Sequence, residues 1–194
     1  SATSGGGIYF GNSNLATISN VAITNNVVSG RGGGIYIYNP DDLTLINVTI
    51  ADNVASIAGG GVRLNTGNPD LVNCIFWNNS PEQIAFYAED GDTNSVTIAY
   101  SNIQGGQDSI VANDNVTITW GDGNIDVDPM FVDTANGNYH LLASSQCVNA
   151  GHPDSTDSDG TVADMGPYPY LNSYSGPTWY VQTDGSDTDG TGST

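Results

Sequence analysis

Four aspartates, Asp154, Asp157, Asp159 and Asp164, crowd into the stretch DSTDSDGTVAD. A second pair, Asp187 and Asp189, stands in GSDTDG, and Asp122, Asp126 and Asp128 stand in DGNIDVD. Closely spaced carboxylates around a glycine turn are the chemistry of Ca2+, which takes about six to eight oxygens from a flexible loop. The D-S-D-G core at 157–160 shares part of an EF-hand loop, but Ser155 and Gly166 occupy that register's first and last liganding positions, where acids are needed. The expectation is therefore a Ca2+ loop of another kind at Asp154, Asp157, Asp159 and Asp164, with Asp187 and Asp189 as a second candidate pair.

Other chemistry finds less support. A glycoside hydrolase needs two carboxylates about 5–9 Å apart, and the adjacent Asp41 and Asp42 of NPDD read as a turn. A polysaccharide lyase needs a basic group, and the chain holds only Arg31 and Arg63. Arg31 precedes its glycine triplet and Arg63 follows its own, so each is expected to be a lone surface charge. His140 and His152 lack zinc-ligand spacing. The glycine triplets lack the helix start that an anion site uses. The chain is expected not to be an enzyme. The alternative is a carbohydrate-binding or polysaccharide-degrading protein.

Charge narrows the partners. Twenty-one acidic residues against two basic ones leave a net charge of −19, which excludes nucleic acid and anionic membrane surfaces as partners, since both need clustered Lys and Arg. No apolar run approaches the roughly 18 residues of a membrane span.

The elements that must position these residues are repeats. GGGIYF at 5–10 returns as GGGIYI at 32–37 and GGGVRL at 59–64, 27 residues apart each time. Asn20 aligns with Asn47, and Asn26 with Asn53; Asn73 and Asn79 follow after 26 residues. SVTIAYSNI at 95–103 and NVTITW at 115–120 are looser copies. Within a copy the apolar positions alternate, as in ATISNVAITNN, so each copy reads as short strands between turns. A superperiod of this length is too short for a propeller blade. It fits an all-β right-handed parallel β-helix of about five or six coils, with like residues about 4.8 Å apart along the axis. Two structural ladders follow, Asn20–Asn47–Asn73 and Asn26–Asn53–Asn79, each amide bonding the next. Tyr9 and Tyr36 are expected to stack, on a face that could otherwise meet sugars.

The triplet GGGI or GGGV followed by F-x-x-N resembles the repeat of polymorphic outer-membrane proteins and related secreted bacterial right-handed parallel β-helix proteins. FWNN at 76–79 carries F-x-x-N outright, while ITNN at 23–26 and IADN at 50–53 place Ile at the Phe position. The resemblance covers roughly residues 5–150 and implies an extracellular or cell-surface location and an adhesive role. GNIDVDPMFVD (123–133), NGNYHLLASSQCVNAG (137–151) and DSDGTVADMGPYPY (157–170) are similar to the closing part of such proteins, and PTWYVQTDGSDTDGTGST (177–194) resembles the opening strand of a further unit.

The expected organisation is coils over 1–150, an Asp/Pro-rich closing segment over 151–176, and a strand-like tail over 177–194. The chain enters its first triplet almost at once and lacks an initiator Met, which reads as a piece of something longer. Its first coil is expected to stack on a longer parent chain or, head to tail, on another copy of itself, a route to filaments. Surface glycans are a further possible partner. Cys74 and Cys147 are either a disulfide or two buried thiols.

Overall fold

A computed structural model describes residues 3–11, 16–38, 43–87 and 94–171. The tail over 177–194, with Asp187 and Asp189, and the turn at Asp41 and Asp42 lie outside the described residues.

Among the described residues sixteen short strands form, in the order that the repeats dictate. The first coil holds β1 (Ile8–Phe10), β2 (Ala16–Thr24) and β3 (Val27–Val28). The second holds β4 (Ile35–Ile37), β5 (Leu43–Ala51) and β6 (Val54–Ala55). In the third, β7 (Val62–Leu64) is followed by β8 (Asp70–Val72) and β9 (Ile75–Trp77). The fourth holds β10 (Ile84–Phe86), β11 (Asn94–Ala99) and β12 (Asn102–Ile103). β13 (Val111–Ala112) and β14 (Val116–Trp120) begin a fifth. β15 (Phe131–Asp133) and β16 (Asn138–Leu141) form a separate antiparallel hairpin.

Stacking follows from parallel pairing at the repeat interval. One sheet runs β1-β4-β7-β10-β13, with Ile8 opposite Ile35 and Ile35 opposite Val62. A seven-stranded sheet collects β2, β5, β8, β9, β11, β12 and β14. A short third sheet pairs β3 with β6. The architecture is the expected right-handed parallel β-helix. Past the named strands, a parallel bridge from Asn102 to Ile125 continues the contact between coils.

Alternation puts every second side chain inside. Ile35, Ile37, Leu45, Ile50, Leu64 and Phe86 are fully buried in one continuous core. Each such side chain is worth about 1.5–3 kcal/mol on leaving water, so this core is the main source of cohesion between the coils.

The glycine triplets have two separate jobs. Gly5, Gly32 and Gly59 turn the corner with φ near +67°, +68° and +65°, a region L side chains avoid. The next glycine permits contact between coils. A Cβ on Gly33 would lie 2.3 Å from the Gly60 carbonyl oxygen, and one on Gly60 would lie 2.2 Å from that of Ser80. The motif therefore repeats because one coil's backbone must pass directly over the next.

Candidate functional site

The asparagines occupy two turns of each coil. In the first column Asn20, Asn47 and Asn73 all take positive φ, near +55°. Asn47 Nδ2 donates to Asn20 Oδ1 at 3.1 Å, and Asn73 Nδ2 to Asn47 Oδ1 at 3.0 Å. In the second column the Asn26 backbone N–H and Nδ2 both donate to Asn53 Oδ1, at 3.0 and 2.9 Å. Asn53 repeats both bonds to Asn79 Oδ1, each at 3.0 Å. The column continues where no asparagine stands: Asn79 Nδ2 donates to Gln83 Oε1 at 2.7 Å, and Gln83 Nε2 to Gln104 Oε1 at 3.1 Å. A third column, Asn25, Asp52 and Asn78, also has positive φ. The sequence reading missed it, although its 27- and 26-residue spacing was visible.

The segment after the coils turns back along this flank. Asn25 Nδ2 donates to the Tyr139 hydroxyl at 2.8 Å, and that hydroxyl donates to Asp52 Oδ2 at 2.6 Å. Further along, the His152 and Gly166 N–H groups donate to the side-chain and main-chain oxygens of Asn73, both at 2.7 Å. Ile75, Leu141, Cys147 and Met165 make a second small core beneath the segment. Both cysteines are buried and free. Burial pushes the Cys74 thiol up to about 12 and also raises that of Cys147, so neither is a ready nucleophile.

Between flank and fold-back segment lies a cleft of about 380 Å³. Trp77, Met130, Phe131 and Leu142 supply apolar walls, and Asp52, Asn78, Asp128 and Thr134 supply polar ones. β9 presents Trp77, and the asparagine-type turn presents Asp52 and Asn78. Asn78 Nδ2 donates to Asp52 Oδ1 at 2.5 Å, so Asp52 is held from both sides. Asp128 Oδ1 accepts the Met130 N–H at 2.8 Å. Of these residues the sequence had pointed to Asp128, within an acidic cluster, and to Trp77 and Asn78 only as members of the repeat element FWNN. Their meeting depends on the fold-back.

A second face lies on the β1-β4-β7-β10-β13 sheet. Tyr9 and Tyr36 stack with ring centroids 5.4 Å apart and planes 13° apart. Arg63 takes the next rung opposite Tyr36. It is not the lone surface charge expected: it is 8% exposed, its Nη1 donates to the Leu64 carbonyl oxygen, and its guanidinium lies 4.4 Å from the Tyr87 ring centre. Burial lowers its pKa, with Tyr36 acting in the opposite direction. Arginine fits this column because its planar cation lies flat on aromatic faces.

Asp157, Asp159 and Asp164 of the closing turn accept backbone N–H groups. Asp157 Oδ2 accepts from Asp164 N at 2.9 Å, and Asp159 Oδ1 from Thr161 N at 3.1 Å. Asp164 takes Asn149 N on one oxygen at 2.7 Å and Tyr170 N on the other at 2.5 Å. The Asp154 N–H donates to His152 Nδ1 at 3.2 Å. Desolvation, and the charges of Asp164 and Asp159, raise the pKa of Asp157 against the bond from Asp164 N–H. Among the described residues no three acidic, thiol or imidazole groups come together as a metal site.

Residues 1–131 match the family described as right handed beta helix region. No curated protein and no solved structure gave a significant match.

Proposed function

The chain belongs to the right-handed β-helix family, and from that premise we propose that it serves as an extracellular structural and adhesive module whose coils stack on further coils. One observation carries the reading. β1 pairs in parallel with β4, β4 with β7, and β2 with β5, each at the repeat interval, and Tyr9 stacks on Tyr36 in the same register. Each rung therefore offers its neighbour a matching edge of backbone donors and acceptors, and the same edge fits a further parallel rung, from a longer parent chain or from a second copy. The resemblance to polymorphic outer-membrane proteins supports the surface location.

Calcium enters the proposal through charge. A net charge of −19 and the crowding of Asp157 by Asp159 and Asp164 favour a divalent cation near the closing turn. Electron microscopy of the protein with calcium, and after chelation, tests both parts. Filaments that come apart on chelation support assembly with calcium at the joints. Discrete particles in both conditions count against self-assembly and leave the edge to a longer chain. A melting temperature unmoved by chelation removes calcium from the reading.

Polysaccharide hydrolysis is the second reading, favoured by Asp52 and Asp128 lining one cleft. Release of reducing ends from a glycan panel, abolished by Asp128→Asn, is its test. No release across that panel would dismiss it.

A further inference from the structure

The cleft has walls of two kinds and charge of one sign. Asp52 and Asp128 face it, and neither arginine lines it. The chain contains no lysine, so the carboxylates have no cationic side chain of their own in this space. The surrounding charge of −19 deepens the negative potential. An anionic ligand is repelled here, and a neutral one leaves the two charges unused.

Trp77 and Phe131 add a second demand. Aromatic faces attract cations through their quadrupole and take the flat apolar faces of rings. A cleft of about 380 Å³ falls within the usual range for small-ligand sites, about 300–1,000 Å³. Asn78 and Thr134 offer hydrogen bonds to hydroxyl groups. Asp52 is fixed by Asn78 and Tyr139. Asp128 is an exposed side chain tied at one oxygen to Met130 N–H, which leaves it able to turn toward a ligand.

We propose that this cleft binds a protonated amino sugar, with its ammonium group between Asp52 and Asp128, its ring on Trp77, and its hydroxyls toward Asn78 and Thr134. The inference rests on the cleft and is independent of whether the module assembles.

Titration calorimetry of the whole chain with a glucosamine tetramer tests it. The N-acetylated tetramer is the neutral control, and a lysine-containing peptide amide is the non-ring amine control. The amine tetramer should bind at least tenfold tighter than either control, and more weakly as pH rises through the titration of its amines. Asp128→Asn and Trp77→Ala should each weaken it at least tenfold; Asp128 is exposed, so its variant should retain the wild-type melt. Equal binding of the acetylated tetramer overturns the ammonium assignment. Equal binding of the peptide overturns the ring assignment. Binding unchanged in Asp128→Asn means diffuse attraction to an acidic surface and overturns the site, as does no heat at millimolar tetramer.

Discussion

The Tyr139 hydroxyl donates to Asp52 Oδ2 at 2.6 Å across 87 residues of chain. This bond, with the one from Asn25 to the same hydroxyl, ties the fold-back segment to the first two coils. It also holds one carboxylate of the cleft in place. Tyr139→Phe removes a hydrogen bond to a charged group, which is worth about 1.5–3 kcal/mol. A chain of this size should then melt several degrees lower, at about 2–4 °C per kcal/mol. Differential scanning calorimetry reads the change, and an unaltered melt would mean that the segment is held by its apolar contacts alone.

The same hydroxyl predicts a response to alkali. Desolvation, and then the bond to Asp52 and its charge, raise the Tyr139 pKa from 10.0 to about 12. Between those values the unfolded chain binds fewer protons than the folded one. The stabilisation is therefore complete below pH 10 and is lost as pH rises through 12. Urea midpoints across this window should fall for the wild type and fall less steeply for Tyr139→Phe. Parallel curves would show that other tyrosines carry the slope.

Asn53 is fully buried and bonds in four directions. Its Nδ2 donates to the Ile23 and Ala51 carbonyl oxygens and to Asn79, and its Oδ1 accepts from Asn26. Asn53→Ala strands several buried groups at about 1–3 kcal/mol each, so a loss of about 3 kcal/mol or more is expected by urea denaturation. Asn20, in the other column, is exposed but keeps φ near +55°, so Asn20→Ala should cost about 1–2 kcal/mol, less than Asn53→Ala. Equal losses at the two positions would remove the ladder as a source of stability.

Two glycines separate steric contact from backbone conformation. Gly33→Ala forces a Cβ to 2.3 Å from the Gly60 carbonyl oxygen, a backbone clash that should exceed the usual overpacking cost of about 1–3 kcal/mol. Gly160→Ala meets nothing within 4 Å but keeps φ near +84°, so about 1–2 kcal/mol is expected. Comparable soluble yield and thermal midpoint for the two variants would contradict the close approach of the coils.

Asp157 holds its proton more tightly when folded, because desolvation and two neighbouring carboxylates disfavour its charge. Stability tied to that proton is present in acid and lost as pH rises through the raised value. Asp157→Asn keeps an oxygen to accept the Asp164 N–H and sheds the charge. Without calcium it should melt higher than wild type at neutral pH, with the gain vanishing in acid. A lower melt at neutral pH would show that the charge itself is needed.

The coil repeat, the strand alternation and two of the three turn columns were legible because they are periodic; the third changes residue type at Asp52, which broke the run of asparagines. In a stacked coil, neighbours along the axis are one repeat apart, so spacing alone names the partners: Tyr9 with Tyr36, and Asn26 with Asn53. The pattern also determined the core, since alternation assigns Ile35 and Ile37 to one side and Tyr36 to the other. The tertiary structure alone decided what covers the flank. Tyr139 meets Asn25 across 114 residues, and His152 meets Asn73 across 79, separations with no repeat behind them. The burial of Arg63 under Tyr87 and the meeting of Asp52, Trp77 and Asp128 in one cleft were equally hidden. Such contacts arise where an aperiodic segment folds onto a periodic one, and only the path of the chain brings them together.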